Sequence, residues 1–132
     1  MLKKTVIQTN YKTEVLNLTS QAEKMVESIS EGLALFFIPH TTAALLINED
    51  DQGLREDFIK VAENWLATER PFEHNRKNNP NTEAHIFSAF GGTRVSIAIE
   101  AGRLSLGRYQ NLLLLEMDGP KARQLHCKII EG

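Results

Sequence analysis

Three short apolar runs limit what this chain can become: Leu33–Ile38, Ala43–Ile47 and Leu112–Leu115. Each is continuously apolar, lacks the three-and-four spacing of an amphipathic helix and is far too short to span a membrane, so each reads as a buried strand. Pro39 stops the first run just before His40-Thr41-Thr42, which presents polar groups at a strand end. The other segments supply what such strands pack against.

Thr5–Asn10 and Thr13–Leu18 read as a hairpin turning at Asn10-Tyr11-Lys12. A helix is expected from a Thr19 or Ser20 cap to about Ile29, with Ala22, Met25, Val26 and Ile29 as its apolar stripe and Gly32 as its stop. A second helix, Gly53–Leu66, carries Leu54, Phe58, Val61, Trp65 and Leu66 as its core face, with the acids of Asn48–Asp51 positioned to cap it. Thr82–Phe90 reads as a third helix, capped by Asn81 and stopped by a positive-φ glycine at Gly91-Gly92. Thr93–Ile99 alternates as a half-buried strand, Leu104–Leu106 and Asn111–Met117 extend the sheet, and Asp118-Gly119-Pro120 is a tight turn. In the last strand, Gln124–Ile130, one face carries Leu125, Cys127 and Ile129 and the other His126 and Lys128. Cys127 reads as a small core residue and His126 as a solvated surface histidine.

The composition suits one domain: 132 residues, 42% hydrophobic and 24% charged. A net charge of −2 gives no basic face for counterion release, so nucleic acid is not an expected partner. The first ten residues hold two lysines but no apolar h-region, and a membrane partner is not expected either; the reading is a soluble, cytoplasmic protein. One cysteine excludes an internal disulfide and a cysteine-cluster metal site. Asn48, Asp50, Gln52 and Gly53 imitate the start of a calcium-binding EF-hand loop, but Ile59 stands where a bidentate Glu is required. No phosphate-loop, nucleophile-elbow, zinc-protease or dinucleotide motif occurs.

The candidate chemistry lies with His40 after a strand, His74 in the polar stretch Ala67–Asn81, and His85 in the first turns of a helix. A helix start disfavours positive charge on His85, which suits a metal ligand, a general base or a phosphate-facing donor. The stretch 67–81 has the length and composition of a lid or binding loop. Three imidazoles can hold a divalent metal such as Mg or Zn, with Asn48, Glu49 or Asp50 completing the set. Equally, they can bind a phosphate or diphosphate with Thr41, Thr42, Arg94, Arg103 and Arg108, and the sequence leaves both open.

HTTAALLINE (40–49), EHNRKNNPNTEAHI (73–86), EAGRLSLGRYQ (100–110) and MDGPKARQL (117–125) closely resemble, in order and spacing, blocks of the YjbQ-type family. The resemblance implies a compact α+β domain over 1–132, with packed antiparallel or mixed β-sheets in a sandwich-like arrangement and flanking helices. It also implies a homotrimer with sites near subunit boundaries. The activity it implies is a secondary thiamine-phosphate synthase, which joins a hydroxymethylpyrimidine diphosphate to a thiazole phosphate and releases diphosphate. Carried over by position, His85 is the first choice for direct contact and His40 and His74 are metal or phosphate ligands. Thr41, Thr42, Asn48, Arg103 and Arg108 then support the substrate's phosphate. This chain departs from the family in a shorter loop after Asn48-Glu49, which counts against carboxylate ligands at Asp50 or Asp51, and in Arg108 and Tyr109. Two other readings fit the same residues: a metal-assisted phosphate-ester hydrolase, and a non-enzymatic trimeric module that binds metal or phosphate.

Overall fold

Each short apolar run is a strand. In chain order the elements are β1 (Leu2–Gln8), β2 (Glu14–Asn17), α1 (Thr19–Val26), β3 (Glu31–Phe37), β4 (Ala43–Asn48), α2 (Gln52–Ala67), α3 (Thr82–Gly91), β5 (Arg94–Glu100), β6 (Arg103–Leu104), β7 (Asn111–Glu116) and β8 (Ala122–Glu131). The computed structural model describes residues 1–74 and 80–132. Strand pairs among these residues are antiparallel and form two sheets, one of order β1-β8-β3-β5-β6 and one of order β2-β7-β4. The class is α+β, with packed sheets and flanking helices. No helix among the described residues is long and apolar enough to cross a membrane.

The four leucines of β7 explain the layering. Leu112 and Leu114 face the five-stranded sheet and join Phe36, Leu45, Leu125 and Cys127 in the main core. Leu113 and Leu115 face the other way, with Val15, Ala44, Phe58 and Phe87, under α2 and α3. The three-stranded sheet is thus a middle layer buried on both faces, and such a strand needs no polar alternation. Among the described residues no layer covers the outer face of the five-stranded sheet. Leu2, Val6, Leu33 and Ile130 are exposed on it.

Several expectations are corrected. The first two strands do not form a hairpin: β1 pairs with β8 and β2 with β7, because Thr9–Thr13 carries the chain from one sheet to the other. Thr9 anchors that crossing, its backbone N–H donating to the Lys121 carbonyl at 2.9 Å. Thr19 does not cap α1; its hydroxyl accepts from the Leu112 N–H at 3.0 Å and Leu18 occupies the cap position. The helix ends at Val26, and Gly32 lies inside β3, where a Cβ would collide with the Ile130 carbonyl oxygen. The apolar face of α2 is rotated: Phe58, Ile59, Ala62 and Leu66 pack inward, while Val61 and Trp65 are exposed and Trp65 meets Phe90 edge-to-face. Asp51 does cap α2, accepting from the Leu54 N–H at 2.9 Å. Asp50 instead pairs with Arg55 at 2.5 Å and accepts from Asn17.

The β7–β8 turn contains a fully buried ion pair between Glu116 and Arg123. Glu116 also accepts from the Thr9 hydroxyl at 2.8 Å and from the Met117 and Asp118 N–H groups at 3.0 and 3.1 Å. Arg123 donates onward to the Thr42 carbonyl and hydroxyl at 3.2 and 2.9 Å. Burial would raise the Glu116 pKa, but hydrogen bonds from Arg123 and Thr9 hold it below the ordinary carboxylate value. Removing one partner strands a charge in the core. Arg123→Met is therefore expected to cost roughly 3–5 kcal/mol in urea unfolding. The double variant with Glu116→Gln should recover part of that loss; equal loss in both would show that packing, not charge, holds the turn.

Candidate functional site

The connection from β3 to β4 passes between the sheets and carries His40, Thr41 and Thr42. Opposite it lies α3, whose C-terminal end packs tightly on β4: a Cβ at Gly91 would lie 2.7 Å from the Ala44 Cβ. Gly92 then takes φ +90°, the positive-φ stop expected from the sequence, and its carbonyl accepts from the Leu45 N–H at 2.9 Å. These contacts border an open pocket of about 360 Å³ lined by His40, Thr41, His85, Ser88, Ala89, Gly92 and Thr93. Larger cavities of about 560 and 510 Å³ lie beside Asn81 and along the β2–α2 groove, but no histidine lines either. The two histidines make the smaller one the candidate site.

His40 is held by its Nε2, which accepts from the Gln124 backbone N–H at 2.8 Å. Burial, with the Arg123 guanidinium nearby, pushes its pKa below the usual histidine value of 6.5. At neutral pH the ring is uncharged, with its hydrogen on Nδ1, and offers a donor rather than a lone pair. His74 meets His85 edge-to-face, ring centroids 4.9 Å apart, and its Nε2 lies 3.0 Å from Asn81 Oδ1. The Asn81 amide in turn donates to Asp118 Oδ2 at 3.1 Å, and Lys121 reaches the same oxygen at 2.7 Å. Burial would raise the Asp118 pKa, but the bonds from Lys121 and Asn81 keep it below the ordinary value.

The expected site residues are thus divided. His40, His85 and Thr41 line the pocket, His74 stands behind His85, and Arg94 directly follows the lining residue Thr93. Thr42 is committed to Arg123 and is buried. Asn48 ends β4, and at about 3.3 Å per residue it lies roughly 16 Å from the pocket end of that strand. Arg103 sits opposite Glu100 at the far end of β5, and the Arg108 guanidinium lies over the Tyr109 ring at 5.4 Å. Among the described residues no group of three or more His, Cys, Asp and Glu can hold a metal ion. With its Nε2 taken by Gln124, His40 does not complete a three-imidazole ligand set as the rings stand, and no step is routed through a metal. Part of the expected lid, residues 75–79, lies outside the described residues.

Sequence reading missed Asn81, Asp118, Glu116, Arg123 and Gln124. Asn81 reads as a helix cap but makes no cap hydrogen bond. Asp118 reads as a turn former. The one usable signal was Glu116, a charge directly continuing the four-leucine run. His126 is also corrected: it is only 7% exposed, packs edge-to-face on Phe37, and has an Nδ1 with no partner in the described chain.

A family model described as UPF0047 protein YjbQ-like matches residues 3–132. A UPF0047 protein from Archaeoglobus fulgidus is 37% identical over 124 residues, which are 94% of this chain and 97% of that protein. The UPF0047 protein YugU of Bacillus subtilis is 33% identical, with 98% of this chain and 99% of that protein covered. Among solved structures, a hypothetical protein from Aeropyrum pernix K1 superposes with a TM-score of 0.93 at 30% identity, covering 100% of this chain and 99% of that one. None of these descriptions carries an activity. An NMR titration of His40 should give a midpoint below 6.5; a midpoint above it would mean that the ring faces a carboxylate and not Arg123.

Proposed function

Because the chain belongs to the UPF0047 family of YjbQ-like proteins, we propose that its pocket holds a small phosphorylated molecule between His40 and His85 and that it joins a hydroxymethylpyrimidine diphosphate to a thiazole phosphate. The observation that carries this reading is the uncharged, N–H-donating His40 facing His85 across the pocket. The hard step in the condensation is departure of diphosphate, whose developing charge needs donors already in place. His40 Nδ1 is one such donor, and Thr41 supplies a hydroxyl. His85 faces the reacting carbon in this scheme and His74 holds its ring. The thiazole nitrogen attacks that carbon as the carbon–oxygen bond to diphosphate breaks.

A homotrimer is part of the same proposal. The sheet face left uncovered among the described residues, with exposed Leu2, Val6, Leu33 and Ile130 around a His126 Nδ1 that has no partner among them, supports burial against another copy. Asn48, Arg103 and Arg108 stand far from His40, so in this proposal they meet a phosphate only at a neighbouring copy's pocket. A cytoplasmic setting accords with the single buried thiol, Cys127, pushed up to about 11 by burial.

The test is thiamine-phosphate formation from the two purified half-molecules with magnesium present. Wild type should form product, and folded His85→Ala should form it about a hundredfold more slowly. Inorganic phosphate without condensed product would point to a hydrolase. No product in either protein would leave an anion-binding module. Sedimentation should give three times the 14.9 kDa chain mass, falling to one chain in a Val6→Asp, Ile130→Asp variant. A wild-type monomer would overturn the assembly.

A further inference from the structure

The hydrogen bonds around two of the histidines determine where each ring keeps its proton. The Asp118 carboxylate can only accept, and Asn81 Nδ2 donates to it at 3.1 Å. That bond turns the other end of the amide, Oδ1, toward His74 Nε2 at 3.0 Å. An amide oxygen also only accepts, so His74 must carry hydrogen on Nε2, and its lone pair in the neutral ring is on Nδ1. At His40 the logic runs in reverse. The Gln124 backbone N–H can only donate, and it points at Nε2 from 2.8 Å, so the neutral His40 ring keeps its hydrogen on Nδ1.

We infer that Asp118, acting through Asn81, is a positioning residue that locks His74 as the tautomer with a basic Nδ1, opposite in sense to His40. The arrangement gives the histidine group one ring committed to donating and one committed to accepting, with His85 lining the pocket between them. Asp118 is well placed for this task. Its own N–H is pinned by buried Glu116 at 3.1 Å, and Lys121 holds the carboxylate oxygen that receives the Asn81 amide. The lock therefore reaches back to the Glu116–Arg123 pair, and Arg123 is followed in β8 by the residue that sets His40. Two tautomers of opposite sense are set from a single turn.

The inference rests on the pocket reading above for its bearing on chemistry, but its test reads ring protons and not turnover, so either can fail alone. Long-range proton–nitrogen spectra at pH 8 should show a lone-pair Nδ1 and protonated Nε2 for His74, and the mirror pattern for His40. In Asp118→Ala the Asn81 amide is free to turn, and the ratio of the two His74 tautomers should shift roughly tenfold. His40 should stay unchanged, which shows that the fold is intact. Asp118→Asn keeps an accepting oxygen and should restore the wild-type pattern. A wild-type His74 protonated on Nδ1, or a His74 pattern in Asp118→Ala identical to wild type, would overturn the inference.

Discussion

The buried pairing of Glu116 with Arg123 is the interaction on which the rest of this arrangement depends. It joins the ends of β7 and β8, ties in β1 through Thr9 and β4 through Thr42, and so fixes four strands of two sheets at one point. A charge in that position tolerates little movement. Every lone pair of Glu116 facing the turn has a donor, and losing any one leaves a buried acceptor short of a bond. Both sides of the pocket hang from this point: His40 through Gln124, next to Arg123, and His74 through Asp118 and Asn81.

That dependence also accounts for the electrostatics. Arg123 spends its positive charge on Glu116, yet it remains near enough to His40 to disfavour protonation there. In the proposed function the pocket meets an oxygen-rich ligand with neutral donors, the His40 N–H and the Thr41 hydroxyl. Such a site binds anions through hydrogen bonds without the desolvation cost of a buried unpaired cation.

How much of this was legible in the sequence varies with the range of the forces involved. Leu112–Leu115, Ala43–Ile47 and the alternation of β5 were readable because burial on a layer writes itself directly into local hydrophobicity. The β1–β2 hairpin was misread because strand partners are chosen across the chain, and β8, more than a hundred residues away, offers β1 a longer match than β2 does. Trp65 and Val61 look like core residues by composition, but the direction of α2 is set by Asp51 and by the α3 contact, which turn Ala62 inward. Of the site, the histidines were visible as residue types. Asn81 and Asp118 were not, since a cap and a turn explain them fully until the fold brings them together. His126 looked solvated because alternation assigns a face but says nothing of its neighbours; Phe37 and Gln124 cover it.

The path of the chain at His40 carries one more consequence. Residues 38–42 leave one sheet and enter the next, and Gly92–Thr93 make the reverse crossing beside them. The pocket is thus lined on one side by the two straps that join the layers, His40-Thr41 and Gly92-Thr93, and on the other by α3. The leucines and Phe36 between those layers act as shims. Their volumes set the spacing of the layers that the straps join, so the strap residues of the pocket are placed by side chains that do not line it.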